Sequence, residues 1–185
     1  KLSGTASSDD YKMLSGSLGY SIASRLPWLT LTITGGLISS FIIHHYAQNF
    51  DNILFTLALS LSFIPLLMGL GGNVGNQSAT IIVRGLATGH VKDSQFMSYI
   101  VREYLVGLSI GTIIAGVVFV FTHFYLHSYT FSIIVSLSLL CNISVGTLLG
   151  ASLPILFKKC RIDPAVASAP FISTSLDIIG QIIYF

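Results

Sequence analysis

The chain has 185 residues, 9% of them charged and 52% hydrophobic, a net charge of +2 and a mean hydropathy of +0.81. Ordinary soluble domains carry about 25% charged residues, so too little polar surface is available here to clothe a water-soluble globule. The chain reads as a membrane domain.

Residues 1–24 are mostly polar or small and contain no apolar stretch of the kind a signal peptide needs. The opening on Lys1 rather than Met, and the ending within Ile182-Ile183-Tyr184-Phe185, read as a piece of a longer protein. Asp9-Asp10 before Tyr11-Lys12-Met13-Leu14 suits the cap of a short amphipathic helix.

Spans of about 20 apolar residues are expected at five places. The first runs from Pro27 to Phe41 and on to His44, and the second from Ile53 past Phe63-Ile64-Pro65 to Leu70. After Leu70 comes Gly71-Gly72-Asn73-Val74-Gly75-Asn76-Gln77-Ser78, then Ala79 to Val83 and Arg84. The 36 residues from Ile53 to Thr88 are too many for one crossing, and three glycines with two asparagines favour either a broken helix or a closely packed one. A break would free carbonyls, hard ligands for Mg²⁺ or its water shell. The third span covers Tyr104 to Phe121, the fourth Phe131 to Phe157, and the fifth Pro164 to Phe185. Asp163-Pro164 has the form of a helix start, Asp at the N-cap and Pro at N1.

All nine Lys and Arg precede span one, lie between spans two and three, or lie between spans four and five; the other two connections carry none. Five crossings therefore sort every basic residue onto one side, which the positive-inside tendency makes cytoplasmic. The amino terminus is expected inside and the carboxyl terminus outside. Topology thus explains the basic clusters, and nothing supports nucleic-acid binding.

Of the acids, Asp9, Asp10, Asp51, Asp93 and Glu103 are read as loop or membrane-edge residues. Asp177 differs, because it follows Pro164 by 13 residues and so lies roughly 20 Å into span five. An ionised carboxylate at that depth costs about 2.5–3.5 kcal/mol on insertion scales, and every Lys and Arg is expected at the cytoplasmic side. Either Asp177 is protonated, or it faces water and a mobile cation. Pro170 and Ser173 share its helical face, Gly180 and Gln181 extend it, and Thr174 and Ser175 add hydroxyls. Such a stripe suits a narrow wet path or, equally, helix–helix packing. His44, His45, His123 and His127 are read as outer-surface residues, and Asn142 as an interhelical hydrogen-bond former. Cys141 and Cys160 have no metal spacing and are too separated for a disulfide. No protease, hydrolase or phosphate-loop motif occurs, so the chain is not read as an enzyme.

The run Pro65 to Ser78 with Arg84-Gly85-Leu86-Ala87, the tail Leu153-Pro154, Asp163-Pro164-Ala165 and Ala169 to Asp177, and the entry Arg25-Leu26-Pro27-Trp28-Leu29 together resemble the MgtE family of magnesium channels and transporters, related to eukaryotic solute-carrier magnesium transporters. The resemblance implies an all-α integral membrane fold, five transmembrane helices per protomer, in a homodimer with a central pore lined by spans two and five. Residues 1–24 would be a cytoplasmic segment ending the family's connecting plug helix, and 25–185 the pore domain. Mg²⁺ would be the cargo, imported across the cell (inner) membrane among its lipids. Asp177 would face its symmetry mate across the ion, Asp163 would lie at the cytoplasmic mouth, and Asp9 or Asp10 would belong to a gate. Gly72, Asn73, Gly75, Asn76, Pro170, Ser173, Thr174 and Gly180 would line the path. The resemblance also implies cytosolic regulatory domains, a CBS pair among them, which are not expected within these 185 residues. The competing reading is a proton-coupled secondary transporter with Asp177 as proton carrier, and a third is a structural subunit whose Asp177 meets a basic residue of another chain.

Overall fold

A computed structural model describes residues 12, 16–47 and 52–185. Among them the regular structure is helical, with no strand: α1 (Leu18–Ala47), α2 (Asn52–Ser62), α3 (Ile64–Ala87), a 3-10 turn at Asp93–Gln95, α4 (Phe96–Leu126), α5 (Tyr129–Lys159) and α6 (Pro164–Tyr184). Among the described residues three segments are long and apolar enough to cross a membrane: Leu57–Ala87, Phe96–Leu126 and Tyr129–Lys159. A fourth joins them if Leu18–Pro27 and Thr32–His45, bent by 45°, count as one span. Pro27 lies within α1; lacking an N–H, it cannot bond the turn before it, which accounts for a bend there. The helix begins at Leu18.

Helices α4 and α5 form a hairpin turned by two residues. His127 takes a left-handed φ of 51° and closes α4 by donating its backbone N–H to the His123 carbonyl, and the Ser128 hydroxyl caps α5 by accepting from the Phe131 N–H. On α4, Val106, Ile110, Ile114 and Val118 repeat every four residues and are buried against Val135, Leu139 and Ile143 of α5 and Leu66, Leu67, Leu70 and Val74 of α3. The outward stripe of Leu105, Val117, Val120 and Phe124 is exposed, as a lipid-facing surface would be.

The glycine- and asparagine-rich run does not break the chain. Helix α3 passes through it without interruption, and the interruption falls earlier, at Phe63, between α2 and α3. Pro65 in the first turn of α3 explains the place, since it has no N–H to donate to the turn before it and fits a helix start, where that donor is not needed. The glycines serve close packing instead. A Cβ on Gly146 would stand 2.8 Å from the Gly71 carbonyl oxygen, and one on Gly150 would strike the Gly75 carbonyl oxygen. Gly71 pairs with Gly146 and Gly75 with Gly150, so two small-xxx-small faces run parallel and let the backbones of α3 and α5 touch. The freed carbonyl ligands expected from a broken helix are therefore not formed.

Gly150→Val should cost about 3 kcal/mol, because the obstacle is backbone and cannot swing aside. Gly116→Val is the control, since an added Cβ there meets nothing within 4 Å. Thermal unfolding in detergent should lower the midpoint for the first and leave the second near the parent.

Candidate functional site

Helices α3 and α6 pack side by side in opposite directions. Asn76 Nδ2 donates to Ser173 Oγ at 3.2 Å, and Gly75 admits Ile172 and Leu176, whose side chains would lie 3.1 and 2.9 Å from a Cβ there. Toward the end of α3, Thr80, Val83 and Arg84 face Pro164, Ala165 and Ala169 across a cleft of about 250 Å³. Asp177 lies one turn beyond Ser173, and Gly72 and Asn73 one turn before Asn76, so the antiparallel pairing sets all three at one level.

The residues expected to line a path divide into two groups. Asn73, Pro170, Thr174 and Asp177 are exposed on the protomer's surface, Asn76 and Ser173 are half-buried beside them, and a Cβ on Gly72 would meet nothing within 4 Å. Gly75 and Gly180 turn the other way. Gly180 abuts the Asn142 amide, 3.0 Å from where its Cβ would be, so both glycines serve contacts within the protomer. Asn142 does form the interhelical bond read for it: fully buried, it donates to the Leu67 carbonyl at 2.8 Å.

Two amides on the open face are tethered by their nitrogens. Asn73 Nδ2 donates to Thr32 Oγ1 on α1 at 2.8 Å, and Asn76 Nδ2 is held by Ser173. Each N–H thus points at a hydroxyl, and on the exposed Asn73 this leaves the amide oxygen as the available end. Asn76 Oδ1 and Gln77 Oε1 are buried and have no hydrogen-bond partner. An oxygen acceptor held as in Asn73 suits the water shell of a hard cation. Asp177 adds the charge, and among the described residues no basic side chain pairs with it; the ion pairs form on Glu103 instead.

Asp163 acts as read, accepting from the Ala165 N–H at 2.9 Å as the N-cap of α6. Asp163 is exposed and immediately precedes Pro164 and Ala165, which line the cleft. Asp9 and Asp10 lie outside the described residues. Among those described, no group of three or more His, Cys, Asp or Glu could hold a metal ion. The histidine rings pack on aromatics, His44 on Tyr125 and His123 on Phe119 and Tyr129. Both cysteines are free.

Glu103 does not lie in a loop or at an exposed edge, and Arg25 is more than a topological marker. Both are buried, at 1% and 3% exposure. Arg25 Nη2 donates to both Glu103 oxygens, at 3.0 and 2.8 Å, and Nη1 donates to Ser78 Oγ at 3.2 Å. Arg102 sits 3.7 Å from Glu103 and donates to Ser21 Oγ and the Gly16 carbonyl at 2.9 and 3.0 Å. Helices α1, α3 and α4 are thereby joined at the end of the bundle that carries the basic residues.

A family model described as MgtE, divalent cation transporter, matches residues 64–185. The chain is 34% identical over 163 residues to the magnesium transporter MgtE of Enterococcus faecalis, covering 88% of this chain and 35% of that protein. It is 32% identical over 161 residues to the proteins of that name from Bacillus subtilis and Thermus thermophilus, covering 87% of this chain and 35% of each. The chain thus spans about a third of the length of the curated relatives it matches.

Proposed function

Because the chain belongs to the MgtE family of divalent cation transporters, we propose that it is the pore-forming part of a homodimeric channel that carries Mg²⁺ into the cell. The observation that carries this reading is Asp177, exposed on the protomer, level with Gly72 and Asn73, and without a basic partner among the described residues. A carboxylate placed in lipid without compensation is costly. One carboxylate cannot balance a divalent ion, whereas two related by a dyad can, and two-fold dimers are the commonest oligomer. The open face of α3 and α6 supplies the contact surface, with Phe171, Ile178 and Ile182 exposed beside the polar stripe.

In the proposed pore five helical crossings put the basic end of the bundle in the cytoplasm, as the positive-inside tendency requires. Mg²⁺ gives up water reluctantly and keeps several waters when bound by one or two carboxylates. The ion therefore passes largely hydrated, its charge met by the Asp177 pair and its waters by Asn73, Ser173 and Thr174. Asp163 lines the cytoplasmic mouth. The membrane potential favours entry, since two charges crossing 100 mV gain about 4.6 kcal/mol.

The test is flux into liposomes holding the purified full-length protein and a Mg²⁺-sensitive dye. Uptake should follow an imposed voltage and ignore an imposed pH gradient. Uptake driven by the pH gradient alone would favour the proton-coupled carrier, and purification as an obligate complex with another chain would favour a structural subunit.

A further inference from the structure

At the centre of its contact with α5, helix α3 presents glycine: Gly71 and Gly75 lie close against Gly146 and Gly150, while Leu66, Leu67, Leu70 and Val74 pack on α5 and Asn142 bonds the Leu67 carbonyl in the first half of the helix. Polar tethers add to what sets its rotation. The polar tethers at Asn73 and Asn76 are made by side chains that also face the open stripe. A third tether is different in kind. Ser78 is fully buried and is held by a guanidinium that is itself fixed in a two-pronged grip on Glu103. The planar guanidinium keeps its two terminal nitrogens at a fixed spacing, Nη2 on both Glu103 oxygens and Nη1 on Ser78, and a hydrogen bond from a charged donor is stronger than a neutral one. Arg102, fastened to Ser21 and Gly16, holds the start of α1 against α4 on the other side of the same carboxylate. Arg25 is thus a rigid anchor, and Ser78 is where α3 meets it.

We propose that Arg25 is a positioning residue: gripping Ser78 from its anchorage on Glu103, it sets the rotation of α3 and hence the direction in which Asn73, Asn76 and Thr80 face. Ser78 lies two residues from both Asn76 and Thr80, about 200° around the helix from each, so a turn released at the buried Ser78 swings the open stripe. The inference rests on the transport reading for its functional consequence, while the rotation itself can be measured without transport.

The experiment uses the full-length protein in liposomes. Ser78→Ala removes the acceptor and leaves the ion pair whole. Arg25→Lys keeps the charge but replaces the planar fork by a point donor that cannot hold Glu103 and Ser78 in the same way. Each should raise the Mg²⁺ concentration for half-maximal flux about tenfold, the low end of the range for one charge-assisted hydrogen bond, and the double variant should show no more than either alone. In parallel, Thr80→Cys, in protein whose native cysteines including Cys141 and Cys160 are replaced, is labelled with a water-soluble thiol reagent. Ser78→Ala should change that labelling rate by a similar factor.

A lowered melting temperature with half-saturation and labelling rate both unchanged, within about twofold, would reduce the pair to a structural role and overturn the proposal. Multiplying effects in the double variant would also overturn it. If the unsubstituted protein passes no Mg²⁺ while labelling shifts as stated, the transport reading falls and the positioning role stands. Should Arg25→Lys fail to fold, Ser78→Ala decides alone.

Discussion

Asp177→Asn should abolish Mg²⁺ flux, lowering it by about two orders of magnitude at equal protein. The substitution keeps size and hydrogen-bonding capacity and removes only the charge. Asp177 is exposed on the protomer and makes no ion pair among the described residues, so its loss should leave the helices and their packing intact. Replacing groups that merely support a metal's ligands costs about 10- to 100-fold in affinity or activity, and removing the only formal charge opposite a divalent ion should cost at least the upper end. In the dimer the substitution acts twice, since both members of the pair are lost together. The measurement is dye-reported uptake in liposomes, with the detergent-solubilised protein checked for unchanged oligomeric size. Undiminished flux would take Asp177 out of the path. Flux that persists downhill but no longer responds to a pH gradient would convert the residue into a proton carrier.

Much of this was legible in the sequence because it rests on local rules. Asp163-Pro164 announces the start of α6 through capping chemistry alone, and the structure begins the helix at Pro164. The ends of α5 at Tyr129 and Lys159 lie within two residues of the apolar run from Phe131 to Phe157. Two kinds of feature were less accessible. The glycine run was open to two readings, and only the partner decides between them: Gly71 and Gly75 are helical because Gly146 and Gly150 arrive opposite, at a spacing no local window contains. The true interruption, at Phe63, had a local signal in Pro65.

Glu103 was misplaced for another reason. Charge counting treats a residue beside Arg102 as a membrane-edge group, yet Glu103 stands three and seven positions ahead of Val106 and Ile110, on the stripe that α4 buries. An acid on an apolar stripe signals a buried cation partner, and the periodicity of α4 could have raised that signal. The identity of the partner, Arg25, 78 positions away, is a tertiary fact. Similarly, which of the polar residues on α3 and α6 face outward depended on helix rotation, so Gly75 and Gly180 could not be separated from Gly72 by composition.

Glu103→Ala should destabilise the fold by about 3–5 kcal/mol, the range for breaking a buried pair and leaving its partner charged and unmatched. Here the penalty falls on a crowded site. Arg25 is 3% exposed and its Nε already lacks an acceptor, and Arg102 would remain beside it without the carboxylate between them. Thermal unfolding in detergent should show a large drop, with Glu103→Gln intermediate because it keeps an acceptor oxygen. Removing both charges is a different matter. Arg25→Met with Glu103→Leu replaces the pair by apolar groups of similar volume, a change that is often neutral or better, and the Ser78 hydroxyl can turn to its own helix's carbonyls. The double variant should therefore recover most of the lost stability. If the pair acts on transport only by holding the fold together, half-maximal Mg²⁺ should recover with it. If the charged grip sets the angle of α3, the protein will be stable and its apparent Mg²⁺ affinity will stay displaced, since an apolar pair holds no fixed donor out to Ser78.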